Sequence, residues 1–162
     1  MKPRSTLLLL TTALLCLPLA QAAPIPQFAH YPAQVYKGKN AALKLNADTR
    51  SFRTRFRELA KEKPNFAGHY AIGYAGCGTG CIITMMVDVK SGASQFVTAL
   101  NDCPPKNDGD EWRDKDIHFQ TNSRLMVLTG VTEEGGDAPS VCRREYWLEQ
   151  NGKLKRIHSD IL

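Results

Sequence analysis

Between residues 64 and 81 the chain reads PNFAGHYAIGYAGCGTGC, and no other stretch limits its fold as strongly. Five of the twelve glycines and two of the five cysteines lie there. The spacing predicts a bridge between Cys77 and Cys81. Such a bridge needs its Cα atoms within about 7 Å, which an extended five-residue segment does not allow. Gly78 and Gly80 let the backbone turn back on itself and close it. With Cys103 and Cys142 as the other pair, four cysteines make two disulfides, the favoured one of three connectivities. An even cysteine count in an exported chain reads as a disulfide framework. On the loop-entropy account the short bridge contributes only about 2 kcal/mol and the long one about 4 kcal/mol. The long bridge therefore stabilises, and the short one shapes a loop.

Export is read from the other end of the chain. Lys2 and Arg4 supply a positive start, residues 7–19 an apolar run, and Ala20-Gln21-Ala22 a small-residue cleavage site. Residues 1–22 thus read as a secretory signal, with a mature chain from Ala23. The run is too short for a spanning helix, so no membrane insertion is expected after its removal. Cys16 does not read as a lipid anchor, because Leu15 stands where a lipobox needs a small residue. The expected location is periplasmic or secreted.

Removing the signal leaves 19 Lys and Arg against 16 Asp and Glu, a net charge of +3. That is ordinary for solubility and gives no nucleic-acid signal. Residues 37–63 are mostly basic, 102–116 mostly acidic and 143–156 basic again. Solvated faces around one core account for this; a basic face for an acidic partner is the sharper alternative.

Prolines 24, 26 and 32 predict an extended arm over residues 23–47, with one strand near Tyr36. A single domain is expected over 48–162. It opens with a helix capped by Asp48 or Thr49, in which Phe52, Phe56, Leu59 and Ala60 form one apolar face. Pro64 is expected to end it, through the restriction it places on Lys63. Short strands follow at 70–74, 82–89, 95–100, 118–120, 125–131, 144–150 and 153–157. Long loops are expected at 101–116 and 133–139, and Asn151-Gly152 is the strongest hairpin signal. Helix first and hairpins after imply an α+β class: one amphipathic helix packed on a twisted antiparallel sheet, a disulfide-braced meander.

No catalytic signature survives inspection. A Cys77–His69 nucleophile pair needs a free thiol near a base, and a cysteine four residues on makes Cys77 a bonded one. His69 reads instead as a structural hydrogen-bonding residue. Cys77 and Cys81 form a short dithiol loop, but not the Cys-x-x-Cys that opens a helix in thioredoxin-like enzymes. The cysteine spacing matches no zinc ribbon or finger. The glycine run lacks the Lys-Ser/Thr ending of a phosphate loop. Asn107-Asp108-Gly109-Asp110-Glu111 hints at calcium without the twelve-residue loop and its closing glutamate. No catalytic residue, metal or cofactor is expected.

Arg57-Glu58-Leu59-Ala60-Lys61, then Pro64-Asn65-Phe66-Ala67-Gly68-His69-Tyr70, Gly76-Cys77-Gly78-x-x-Cys81 and Val87-Asp88-x-Lys90-Ser91-Gly92 together carry a resemblance. Over roughly residues 50–100 the chain resembles a family of small exported bacterial proteins with a "PNFAGHY … GCGxxC" motif. It departs from that pattern at Tyr74-Ala75, near which a tryptophan is expected. The family has no assigned activity, so the resemblance implies export and fold and carries over no catalytic residue. Two function classes follow. The first is an exported binding protein of the inhibitor or immunity kind, whose rigid loop meets a periplasmic or cell-wall-associated protein. Its candidate contacts are His69, Tyr70, Tyr74, Gly78, Thr79 and Gly80. The second is a thiol–disulfide redox protein using Cys77 and Cys81, with His69 tuning the thiolate.

Overall fold

A computed structural model describes residues 24–132 and 141–162. The expected signal segment and the loop expected at 133–139 lie outside those residues. After a 3-10 turn at Phe28–His30 and another at Thr49–Phe52 comes one short helix, α1 (Arg53–Leu59). Seven strands follow: β1 (Tyr70–Gly78), β2 (Cys81–Asp88), β3 (Ser94–Asn101), β4 (Asp116–Phe119), β5 (Leu125–Thr132), β6 (Arg143–Gln150) and β7 (Lys153–Ile161). All pairings between them are antiparallel. The class is mainly β, which corrects the α+β expectation: the helix holds only seven residues. No helix among the described residues is long and apolar enough to cross a membrane.

The strands run in the order β1-β2-β3-β5-β6-β7, with β4 on β5. One edge of β5 therefore serves two neighbours. Residues 126–129 pair with β4, while Val131 and Thr132 pair with Asn101 and Leu100 of β3. Alternation puts successive side chains of β1 and β2 on opposite faces. Ile72 and Met86 join Leu100, Met126 and Leu128 in one buried cluster. Ala71, Met85 and Val87 join Phe56 and Leu59 of α1 in another. Both faces of β2 are thus covered, which explains its nearly unbroken apolar sequence. Burial of each large side chain contributes roughly 1.5–3 kcal/mol; Phe56 and Phe66 are wholly enclosed.

No strand forms near Tyr36, contrary to expectation. The segment instead attaches to the body residue by residue: Tyr36 N–H donates to Gly68 O, Ala41 N–H to Val89 O and Lys44 N–H to Gly92 O, at 2.7–2.8 Å. Its side chains also close the core. Tyr36, Leu43 and Leu45 pack against the cluster around Phe56. Phe28 and Tyr31 cover Leu125, Val127 and Tyr146 on β5 and β6.

The helix boundaries also differ from expectation, because residues outside the helix pair its end groups. Asp48 makes no side-chain cap bond. Asn46 Oδ1 accepts from the Thr49 N–H at 2.9 Å, and the Thr49 hydroxyl lies 2.9 Å from that of Ser94. At the other end α1 stops at Leu59, well before Pro64. Asn40 Nδ2 donates to Ala60 O and Glu62 O, both at 2.9 Å, and so satisfies carbonyls that a helix terminus leaves unpaired. Asn40→Ala is expected to cost about 1–2 kcal/mol in urea melts, with the denaturant slope unchanged. A cost below the scatter of the extrapolation would remove Asn40 from this role.

At the last hairpin, Asn151 (φ 53°) and Gly152 (φ 83°) both adopt left-handed backbone, as a two-residue type I′ turn demands. The Gln95 side chain of β3 donates to Gly152 O at 2.8 Å, joining the first half of the sheet to this turn.

Candidate functional site

The six candidate residues run from just before β1 to the turn after it, and that strand separates what the sequence places together. From His69 to Cys77 an extended chain covers about 26 Å. The candidates fall at three places.

His69 and Tyr70 stand at the start of β1, beside a cavity of about 650 Å³ shared with Asp88, Arg124 and Glu149. His69 Nδ1 lies 3.0 Å from Ala67 O, a carbonyl that can only accept, so this nitrogen carries a proton. Its Nε2 is 4.0 Å from Asp88 Oδ1. Asp88 is already engaged by the Lys90 N–H and the Ser91 hydroxyl, as a turn-closing residue. Tyr70 donates to Glu149 Oε1 at 3.1 Å, and the Gly152 N–H donates to the same oxygen at 2.8 Å. These bonds tie β1 to the β6–β7 hairpin. Burial, and next the Glu149 carboxylate, push the Tyr70 hydroxyl well above the ordinary tyrosine range. The folded protein therefore keeps this proton where the unfolded chain loses it. Stability from this group is full below pH ~10 and declines as pH rises above it. Alkaline unfolding curves should show this decline, and Tyr70→Phe should flatten it; an equal slope in both proteins would count against the assignment.

Tyr74 sits in mid-strand and is 44% exposed. It borders a shallow depression with Arg55, Glu58 and Leu59 of α1. Loss of water around the ring, then the charge of Asp116, raise its hydroxyl to about 12.

Gly78, Thr79 and Gly80 form the third place, the turn between β1 and β2. The expected disulfides are both present. Cys77–Cys81 closes this turn with a Cα separation of 5.2 Å, and Cys103–Cys142 spans 39 residues. Gly78 (φ 143°) and Gly80 (φ 67°) take up the backbone that closure requires. Residues 76–79 are exposed, and beside them lies a cavity of about 430 Å³. It is lined by Thr79, Asn101, Asp102, Pro104, Trp112 and Val131, along with Gly80.

Four of these lining residues carry chemistry, and three of the four, Asn101, Asp102 and Trp112, are not among the six candidates. Asn101 and Asp102 end β3 and begin the long loop. Asp102 Oδ1 accepts from the Lys115 ammonium at 2.7 Å and from the Lys115 N–H at 3.1 Å. Those bonds hold its carboxyl below the usual carboxylate range, so it is charged at neutral pH. Trp112 stands 67% exposed in a loop whose base is clamped. Cys103 and Arg113 exchange two backbone hydrogen bonds at 2.9 and 3.1 Å, and the Cys103–Cys142 bridge anchors the same point. A large aromatic inside an acidic loop was the signal available in the sequence.

His69, at the far end of β1, is out of reach of the Cys77 sulfur, so neither nucleophilic nor redox chemistry at Cys77 has His69 beside it. The Asn107–Glu111 stretch closes on itself, with Asp110 Oδ2 accepting from the Asn107 N–H and side chain at 3.0 and 3.1 Å. Among the described residues no group of three His, Cys, Asp or Glu is placed to hold a metal ion. Two disulfides suit an oxidising compartment. Set against known protein families, curated proteins and solved structures, the chain matches none.

Proposed function

We propose that the chain is an exported binding protein that meets a cell-wall-associated protein with the disulfide-closed end of the β1–β2 hairpin. One observation carries this reading: an exposed, covalently closed turn adjoins a cavity edged by an exposed tryptophan on a clamped loop. Rigid contact elements lose little conformational entropy on binding. Tryptophan is among the residues that most often dominate interface energies. Thr79 and Trp112 are the contacts at this end, and Tyr74 extends the surface along the β1 edge. The export signal read at residues 1–22 and the resemblance to exported bacterial proteins support a partner in the periplasm or cell wall.

The test mixes the mature protein with a panel of purified lysozyme-type muramidases, read by size-exclusion chromatography and by inhibition. A defined complex is expected with at least one enzyme, weakened about tenfold or more by Trp112→Ala. Absence of any complex across the panel, with both disulfides intact, overturns the inhibitor reading.

A further inference from the structure

We infer that the cavity at the hairpin end is a subsite for a neutral sugar ring of an oligosaccharide, stacked on Trp112 and hydrogen-bonded by Thr79, Asn101 and Asp102. The inference rests on reading this end as the binding end, and not on the partner being a protein.

The lining has two kinds of surface, and a pyranose has the same two. Trp112 offers a flat exposed indole, with Pro104 and Val131 as apolar neighbours. Opposite chemistry comes from the Thr79 hydroxyl and the Asn101 amide, which have no hydrogen-bond partner among the described residues. Asp102 adds a fixed acceptor. Lys115 takes Oδ1 and orients the carboxylate, while Oδ2 carries no hydrogen bond. That oxygen lies beside Gly80, where an added Cβ would stand only 2.8 Å from it. Glycine at this position keeps the oxygen uncovered. A sugar places its C–H face on an aromatic ring and its hydroxyls, each both donor and acceptor, against amide, hydroxyl and carboxylate. The volume lies in the range of small-molecule sites.

Other ligand classes fit less well. An anion would face the Asp102 carboxylate, whose lysine is already occupied. A purely apolar ligand would strip water from Thr79, Asn101 and Asp102 without replacing its hydrogen bonds. A peptide would find no free strand edge at Asn101, which pairs with Cys81 on one side and Val131 on the other. A metal ion would find one free carboxylate oxygen, and no three-ligand group exists among the described residues.

The two tryptophans make the test internal, because the indole N–H of each gives its own amide-region NMR signal. Trp147 donates to Glu145 Oε2 at 2.9 Å and does not line the cavity. The 15N-labelled mature protein is titrated with triacetylchitotriose, cellotriose and maltotriose up to tens of millimolar, since weak single-ring sites lie in that range. Saturable movement of the Trp112 signal with at least one saccharide, while the Trp147 signal stays fixed, is the expected result. Trp112→Ala should weaken binding at least tenfold, measured by the shifts of the Thr79 and Asn101 amides, and Asp102→Asn several-fold. Trp112 is exposed, so its removal leaves the fold intact. A Trp112 signal that stays still with all three saccharides overturns the inference, as does binding unchanged by Trp112→Ala. Sugar binding without any muramidase complex overturns only the protein-partner reading; a complex without sugar binding overturns only this one.

Discussion

Replacing Cys103 and Cys142 together by serine is expected to lower the unfolding free energy by about 4 kcal/mol, against about 2 kcal/mol for Cys77 and Cys81. The difference follows from the lengths of chain that the bridges close, 39 residues apart in one case and 4 in the other. Both members of the long bridge are buried, so serine hydroxyls there also meet apolar surroundings. For a domain of this size the loss corresponds to a fall in Tm of roughly 10–20 °C. Guanidinium and thermal melts of the two double variants measure it. A larger loss from the short bridge would reverse the assignment of roles.

Loosening the long bridge has a second consequence at the cavity. Cys103 holds the base of the loop that carries Trp112, through its bridge and its two bonds to Arg113. The double serine variant therefore links stability to ligand contact at one point. The short-bridge variant, by contrast, frees only the exposed turn.

Gly68→Ala is expected to cost about 3 kcal/mol, although it adds a single methyl group. The residue has φ 78°, a region that side chains avoid, and an added Cβ would lie 2.1 Å from Gln34 O. The turn around it is also a junction. Gly68 N–H donates to Thr121 O, its carbonyl accepts from Tyr36 N–H, and Ala67 N–H donates to Ser123 O. Moving the backbone to admit a methyl would disturb the arm, the β4–β5 turn and the His69 bond to Ala67 O together. Gly76→Ala is the control, because nothing lies within 4 Å of the position where its Cβ would be. Chemical denaturation of both variants decides the matter. Equal stabilities for the two would mean that the turn relaxes freely.

This junction also explains much of the wording PNFAGHY. Asn65 uses its side chain as a strand would, accepting from Ile72 N–H at 2.8 Å and donating to Ile72 O at 3.0 Å. It thereby satisfies backbone groups on the free edge of β1. Phe66 is fully buried, and Ala67 and Gly68 make the left-handed turn. The motif is accounted for by folding before any ligand is invoked.

What the sequence determined by itself is local. The strands at 82–89, 95–100, 125–131 and 144–150 appear within a residue or two of their expected places, because alternation and apolar runs act over neighbouring residues. The Asn151-Gly152 turn and the glycine-shaped Cys77–Cys81 loop were legible for the same reason: few residue types tolerate those backbone angles. The pairing of Cys103 with Cys142 followed once the short loop was closed. Tertiary structure decided the rest. Asn40 pairs the carbonyls at the end of the helix from twenty residues away, and with only seven residues in that helix the class is mainly β. A nine-residue strand carried His69 and Tyr70 to one end of the sheet and Gly78, Thr79 and Gly80 to the other. Sheet pairing and packing then brought Asn101, Asp102 and Trp112 to the glycine turn from the end of β3 and the loop after it, more than twenty residues away. Side chains brought together by sheet pairing and a buried disulfide have no signature in sequence spacing, because each contact is chosen by the burial of other residues.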